Sequence, residues 1–172
     1  MSKTIAGNDA DDQMFTPQFV LDWLGPIDLD PCWDPRSNVM PRHYMDASMN
    51  GLAYEWDVDG LVFVNMPYSE QARWIEKCAD QGNKGRKVVA LVQAKPGERV
   101  WAEHVWPFAK VVAFLRGRLT FGRPEGLKSQ SGTFNSALVW WGPVDGLWEP
   151  ARERAQGHKN APVVWLSGPY NR

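Results

Sequence analysis

The sequence predicts a single α/β domain in which a mostly parallel sheet carries helices on both faces. Three short, wholly apolar runs at 61–64, 88–92 and 111–115 are typical of strands that are buried on both sides. Helical patterns separate these runs, and strands that alternate with helices favour a parallel sheet. A chain of 172 residues with 44% hydrophobic residues is long enough to form one hydrophobic core of ordinary size and too short to form two.

Each element of the N-terminal half has its own signal. Residues 1–13 are polar and aperiodic, which predicts a flexible tail. Thr16-Pro17 is typical of a helix start, with a capping side chain followed by proline at the first helical position, and the apolar spacing beyond it predicts a helix over 17–24. The next apolar stretch predicts a short strand at 27–30. Residues 31–60 are rich in Pro, Asn, Asp, Met and Gly, which predicts a long functional loop region with room for one short strand or helical turn.

The C-terminal half continues the alternation. A helix is predicted over 69–82, and the apolar spacing at 100–105 predicts another between the second and third buried strands. Residues 116–133 contain four glycines and four basic residues, which predicts a loop. The apolar run 136–141 predicts a final strand, and 163–166 predicts an extra strand or a docked segment.

Composition and charge exclude several classes of protein. The formal net charge is −1, so a generally basic coat for nucleic acid is ruled out and a polyanion must meet a local patch. Cys32 and Cys78, the two cysteines, lie in separate segments, which indicates neither a disulfide framework nor a metal site. No apolar run is long enough to span a membrane, and the N-terminus lacks the apolar core of a signal peptide. We therefore expect a soluble cytoplasmic protein whose domain covers 14–172.

The predicted topology selects four candidate site loops. In open α/β sheets ligands bind beyond the carboxyl ends of the strands. That rule points to residues 30–38, 65–69, 93–99 and 116–134.

Asn65-Met66-Pro67-Tyr68, directly after a buried strand, is the sharpest chemical signal. The Asn65 side-chain oxygen and the carbonyl of residue 66 can accept hydrogen bonds from an exocyclic amine, and Tyr68 offers a face on which a flat ring can stack. This pattern suits a planar amine that must attack an electrophilic methyl group. The alternative is an ordinary strand-to-helix turn in which Asn65 and Pro67 satisfy the turn geometry.

This tetrapeptide resembles the Asn/Asp-Pro-Pro-Tyr motif of amino-group methyltransferases, and other segments extend the resemblance in order along the chain. They are Thr16-Pro17-Gln18, Leu29-Asp30-Pro31-Cys32-Trp33-Asp34-Pro35, Asn50-Gly51-Leu52 with Trp56, Phe114 to Phe121, and Ser136-Ala137-Leu138-Val139. Together they are similar to the phage-type DNA N6-adenine methyltransferases, the Dam-like group of small phage and prophage enzymes, with the strongest match over 15–141. The resemblance implies a Rossmann-like domain, the cofactor S-adenosylmethionine, and methyl transfer to N6 of adenine in double-stranded DNA by base flipping, without a metal.

The resemblance also implies roles for individual residues. Asn65, Met66, Pro67 and Tyr68 match the catalytic motif, and Asp30 is expected to pair with the ammonium group of the cofactor. Asp46, Asn50 or Asp57 is expected to accept hydrogen bonds from the ribose hydroxyls. The cofactor residues expected in all are Phe15, Thr16, Pro17, Asp30, Pro31, Cys32, Trp33, Asp34, Asn50 and Asn65.

Basic residues that follow strands are expected on the same face as Asn65, where they would meet DNA phosphates. The predicted DNA-binding residues are Arg36, Arg116, Arg118, Arg123 and Lys128, and Lys95 and Arg99 share the expected placement. The alternative is a scatter of solvated surface charges. Recognition of a DNA sequence is expected from short loops such as 36–50 and 122–134, because the chain has no room for a separate recognition domain.

Met66 stands where the family motif has its first proline, and this departure keeps other functions open. The carbonyl survives the change, but the rigidity of proline is lost. One alternative is therefore a weakened or inactive methyltransferase-like protein that binds DNA as a regulator. Another keeps the fold and methylates N4 of cytosine or another flat amine. The biological role, in restriction-modification or in regulation, and the choice between monomer and dimer stay open.

Overall fold

The apolar runs form the centre of one sheet, and helices cover both of its sides. The structure is a computed structural model that describes residues 14–123 and 130–167. The predicted tail at 1–13 lies outside the described residues. In chain order the helices and strands are α1 (Gln18–Leu24), β1 (Leu29–Asp30), β2 (His43–Tyr44), β3 (Leu61–Val64), α2 (Gln71–Asn83), β4 (Lys87–Gln93), β5 (Ala109–Leu115), β6 (Thr120–Phe121), β7 (Gln130–Ser131), β8 (Ser136–Trp141), α3 (Trp148–Ala155) and β9 (Pro162–Ser167).

The sheet is mixed, and the prediction of a mostly parallel sheet is not confirmed. Within the described residues seven strands lie in the order β2-β1-β3-β4-β8-β5-β9. The pairs β2–β1, β1–β3 and β3–β4 are parallel, whereas β4–β8, β8–β5 and β5–β9 are antiparallel. The reason lies in the connection from β5 to β8, whose described part contains only the β6–β7 hairpin. With no crossover helix in the described part of this connection, β8 starts at the edge where β5 ends and therefore runs antiparallel to β5.

The alternation of side chains along each strand builds two cores. Leu61 and Phe63 of β3 point to the side of α1 and α3, while Val62 and Val64 point to the side of α2. β4 and β8 follow the same pattern, and every residue of β8 is buried. Double burial explains why these strands appear as continuous apolar runs rather than as an alternating pattern. The predicted placement of helices on both faces is confirmed for the described part of the chain.

Three local features differ from the sequence predictions. The predicted helix near 100–105 is a single π-helical turn, Trp101–Val105, and a 3-10 turn at Tyr68–Glu70 precedes α2. α3 was not predicted, because Pro150 interrupts its pattern. Pro150 lies in the first turn of α3, where its missing N–H has no intrahelical partner to lose.

Strand direction brings several loops to one edge of the sheet. β1, β2, β3, β4 and β5 all end at this edge, and β8 begins there, since Ser136 pairs with Gln93. The segments that follow Asp30 and Val64 are neighbours because β1 pairs directly with β3. None of the helices in the described part of the chain has both the length and the apolar character needed to cross a membrane.

Candidate active site

A cleft of about 480 Å³ opens at the carboxyl ends of β1 and β3. The lining residues fall within four segments of the chain, 14–16, 30–39, 46–52 and 65–74. The residues that line it are Met14, Phe15, Thr16, Asp30, Pro31, Cys32, Trp33, Asp34, Pro35, Ser37, Val39, Asp46, Ala47, Ser48, Asn50, Gly51, Leu52, Asn65, Met66, Pro67, Glu70, Arg73 and Trp74. Its volume lies in the range of about 300–1,000 Å³ that is typical of small-molecule sites.

Asp30 places a buried carboxyl group at the end of β1, with only 4% of the residue exposed. Its Oδ1 accepts a hydrogen bond of 3.0 Å from the backbone N–H of Cys32. Burial raises the pKa of Asp30 to about 7, against the opposing effect of its hydrogen bonds with Cys32. No ion pair joins Asp30 to a Lys, Arg or His within the described residues. A carboxyl group buried in this way suits a ligand that brings its own positive charge.

Cys32 lies between Asp30 and Asn65 on the wall of the cleft. The backbone N–H of Asn65 donates a hydrogen bond to its sulfur, and the thiol also interacts with the Asp30 carboxyl group. Burial, followed by the charge of Asp30, raises the pKa of the Cys32 thiol well above its usual value. The thiol therefore stays protonated, which is unsuited to nucleophilic catalysis.

Trp33 and Asp34 continue the wall beyond Cys32, and both are held by neighbours. The Trp33 indole N–H donates to the carbonyl of Val39 at 3.1 Å. Arg36 donates to both carboxylate oxygens of Asp34, at 3.0 Å from Nε and at 2.7 Å from Nη2. These side-chain hydrogen bonds lower the pKa of Asp34. Arg36, predicted to contact DNA, thus has its guanidinium group engaged with Asp34.

The 46–52 segment also lines the cleft, and Gly51 fixes its position against Pro31. A Cβ atom at Gly51 would collide with the carbonyl oxygen of Pro31, so only glycine allows this close approach. The indole N–H of Trp56 donates to the carbonyl of Gly51 at 2.9 Å. Asn50 has a φ of 51°, a left-handed conformation that Asn tolerates better than most residues. The Asn50-Gly51-Leu52 pattern with Trp56 therefore has a structural basis.

The three candidates for a ribose contact lie in different surroundings. Asp46 and Asn50 line the cleft. Asp46 accepts hydrogen bonds from the hydroxyl and backbone N–H of Ser48, at 2.6 Å and 2.9 Å, and the hydroxyl contact is the main cause of its lowered pKa. Asp57 does not line the cleft and pairs with Arg86 at 2.6 Å. Asp57 is therefore placed away from any ligand in the cleft.

Asn65 follows β3 directly and lines the cleft. Its Nδ2 donates to the carbonyl oxygen of Met14 at 2.7 Å and to Oγ1 of Thr16 at 2.9 Å. Met66 and Pro67 also line the cleft, and the Met66 side chain is buried in the core beneath α2. Tyr68 is not among the lining residues. Its ring meets that of Phe121 edge-on, with 6.1 Å between the ring centroids.

The predicted helix start is shifted by one residue. Pro17, rather than Thr16, is the N-cap of α1, and the Thr16 hydroxyl is engaged with Asn65 instead of capping the helix. Phe15 and Thr16 line the cleft as expected, but Pro17 does not. The prediction that Pro17 contacts the cofactor has no support from its position.

The predicted DNA-binding residues do not line the cleft. Arg116 and Arg118 are exposed beyond the end of β5, and Arg123 is half-buried. Lys128 lies outside the described residues. Lys95 pairs with Glu98 at 3.2 Å, and Arg99 pairs with Glu103 at 2.7 Å, so acidic partners offset these two charges.

Sequence reasoning missed the cleft residues that follow Tyr68. Glu70, Arg73 and Trp74 line the cleft from the 3-10 turn and the first turns of α2, and Glu70 pairs with Arg73 at 2.8 Å. Their position directly after the Asn65–Tyr68 motif, on a helix that starts at the ligand edge, is a signal that could have found them. Within residues 14–123 and 130–167 no group of His, Cys, Asp or Glu is arranged to hold a metal ion.

Comparison with known proteins identifies a family. The family model described as DNA N-6-adenine-methyltransferase (Dam) matches residues 3–153. The matched range includes every lining residue of the cleft. No curated protein matches the chain.

Proposed function

The chain belongs to the DNA N-6-adenine-methyltransferase (Dam) family, and from this membership we propose that it transfers a methyl group from S-adenosylmethionine to N6 of adenine in double-stranded DNA. The observation that carries the proposal is the cleft that brings the buried Asp30 carboxyl group together with the Asn65-Met66-Pro67 segment. A cofactor site and an amine-binding motif are the two parts that this reaction requires.

The residues of the cleft fit S-adenosylmethionine. Asp30 is a buried carboxyl group without an ion pair among the described residues, which suits the ammonium group of the cofactor. The side-chain oxygens of Asp46 and Asn50 can accept hydrogen bonds from the ribose hydroxyl groups. Trp33 and Leu52 supply apolar surface. Phe15, Thr16, Pro31, Cys32 and Asp34 complete the proposed cofactor set. The family resemblance implies a Rossmann-like domain, and such a domain would bind its cofactor at this edge of the sheet.

The chain's own groups act on the target amine. Bound S-adenosylmethionine supplies an electrophilic methyl group. The Asn65 side-chain oxygen and the Met66 carbonyl accept the two N–H groups of the amine, which directs the nitrogen lone pair away from them. The same acceptors stabilise the positive charge that develops on N6. The amine attacks directly, and no side chain forms a covalent bond to the substrate.

The DNA duplex is proposed to bind outside the cleft. N6 of a stacked adenine cannot reach a cleft of this kind, so the base must leave the helix. Tyr68, directly after Pro67, is proposed to stack on the extruded base. Arg116, Arg118 and Arg123 follow β5 at the same edge of the sheet and are proposed to bind phosphates. The expected location is the cytoplasm, which would be that of the host cell if a phage encodes the protein.

The test is methyl transfer from labelled cofactor to unmethylated DNA, followed by analysis of the nucleosides. N6-methyladenine is the expected product, and N4-methylcytosine would instead support the alternative substrate. Asn65→Ala is the matched control, since it removes the side-chain acceptor and is expected to abolish turnover. A folded natural protein that binds cofactor and DNA yet labels no nucleoside would contradict the proposal and favour a regulator.

A further inference from the structure

The segment of residues 14–16 holds the side chain of Asn65. Asn65 Nδ2 lies 2.7 Å from the carbonyl oxygen of Met14 and 2.9 Å from Oγ1 of Thr16. Thr16 is 2% exposed, so water has little access to its contact with the amide. Both amide hydrogens of Asn65 therefore have acceptors on the 14–16 segment.

These contacts fix which end of the amide faces the 14–16 segment. A carbonyl oxygen can only accept a hydrogen bond, so the Asn65 atom beside Met14 must be the nitrogen. The side-chain oxygen then points away from the 14–16 segment. An amide without such partners can turn over and present its NH₂ group, which would oppose the NH₂ group of an adenine instead of accepting from it.

The 14–16 segment is itself firmly held. The backbone N–H of Phe15 donates to the carbonyl of Gly122 at 2.8 Å, and the N–H of Gly122 donates back to Phe15 at 3.1 Å. After Thr16 the chain enters α1, whose Val20, Leu21, Trp23 and Leu24 are buried in the core. An anchor on each side leaves the segment little freedom to follow a movement of the Asn65 amide.

We propose that Thr16, together with the carbonyl of Met14, is a positioning residue that keeps the Asn65 oxygen directed at the target amine. The inference rests on the proposed function, and it gives the Thr16 hydroxyl a role in orienting Asn65 beyond the expected cofactor contact. The benefit is preorganisation: the acceptor is aimed before DNA arrives, so no reorientation is needed during the reaction.

Three variants test the inference through rates and affinities. Thr16→Val keeps the shape of the side chain and removes the acceptor, whereas Thr16→Ser keeps the acceptor. We expect Thr16→Val to lower the single-turnover rate on unmethylated DNA by about tenfold, as removal of one well-placed hydrogen bond implies. The rates are compared at saturating S-adenosylmethionine, so that a lost cofactor contact of Thr16 does not contribute to them. The affinity for DNA should stay unchanged, and Thr16→Ser should restore the rate. Thr16→Ala is the substitute if the valine protein does not fold.

A second measurement follows the amide itself. In ¹⁵N spectra, the side-chain NH₂ signals of Asn65 are identified by their disappearance in Asn65→Ala. We expect them to exchange with solvent much more slowly than those of the exposed Asn83, and expect Thr16→Val to shift them and speed the exchange.

The outcomes separate this inference from the proposed function. If the natural protein transfers no methyl group, the proposed function fails, while the amide signals still decide whether Asn65 is held. Exchange as fast as that of Asn83 would overturn the inference. So would a natural protein and Thr16→Val with equal single-turnover rates, and in that case the methyltransferase proposal would stand.

Discussion

The Asp30 carboxyl group is expected to make cofactor binding in the cleft depend on pH. Its pKa is raised to about 7, because burial disfavours the ionised form. A ligand ammonium group binds the ionised form, so below pH 7 binding must first expel a proton. We expect the affinity for S-adenosylmethionine to weaken by up to about tenfold for each pH unit below 7. Calorimetry between pH 5 and pH 8 measures this, and Asp30→Asn should flatten the profile and weaken binding at pH 8.

The same group affects the stability of the ligand-free protein in the opposite sense. Between the usual pKa of 3.8 and about 7, the unfolded state is ionised at residue 30 while the folded state keeps its proton. The contribution of Asp30 to the free energy of unfolding therefore falls as pH rises through this window and is constant above it. Asn at this position should raise the melting temperature more at pH 8 than at pH 4.

For the binding prediction, an affinity for cofactor that is constant from pH 5 to pH 8 would contradict the ammonium contact.

Met66 is expected to be a structural residue as well as a backbone acceptor. Its side chain is 3% exposed and packs in the core with Trp74 and Ile75. Proline would restore the family motif but would leave part of this volume empty. We expect Met66→Pro to preserve or raise turnover and to lower the free energy of unfolding by about 1–3 kcal/mol. Urea denaturation and single-turnover rates of the same preparation measure the two effects separately, and an unchanged stability would contradict the packing role.

The sequence singled out about half of the residues that line the cleft, because their chemistry is local. Asp30 and Asn65 each follow a buried strand, so the end-of-strand rule places them together. The Asn65 contact with Thr16 joins residues 49 positions apart and leaves no periodic signal. Asp57 was a candidate by residue type alone, and its partner Arg86 became visible only in the fold.

The helix α3 packs on α1, and Arg154 joins the two. Its Nε donates to the carbonyl of Trp23 at 2.7 Å, near the C-terminal end of α1, where carbonyls lack helical partners. We expect Arg154→Ala to lower the free energy of unfolding by about 1–2 kcal/mol, since the charged donor also favours this helix end. Chemical denaturation measures the decrease. Arg152→Ala is the control on the same helix, and an equal decrease in both variants would argue against a specific role for the contact.

The strands that are buried on both faces were predicted well, whereas very short strands and a helix interrupted by proline were not. β3 and β8 coincide with their predicted apolar runs, because burial on both faces favours apolar side chains there. The two-residue strands β6 and β7 are too short to give an alternating pattern. The direction of β8 depends on how residues 116–135 connect it to β5, and apolar pattern carries no information on strand direction.

The two edges of the sheet are expected to differ in their attraction to DNA. Arg116 and Arg118 lie beyond the carboxyl end of β5, whereas the exposed Lys110 lies at the start of the same strand, on the opposite edge. We expect Arg116→Ala with Arg118→Ala to weaken binding to all DNA sequences. The slope of log affinity against log salt should fall by about 0.9 for each phosphate that the variant no longer neutralises.

Lys110→Ala is the matched control for charge and strand. Fluorescence anisotropy with labelled duplex DNA at several salt concentrations measures all three proteins. If Lys110→Ala changes the salt slope as much as the arginine substitutions do, the attraction comes from general surface charge and the oriented DNA face is wrong.

The place of β8 between β4 and β5 has a consequence for synthesis of the chain on the ribosome. β4 and β5 are made first, yet within the described sheet they are joined only through β8, which starts at residue 136. Until that strand emerges, two apolar strands expose unpaired edges to other nascent chains. A premature stop between residues 115 and 136 should therefore release an aggregating product, whereas a stop beyond β8 should not leave these edges open.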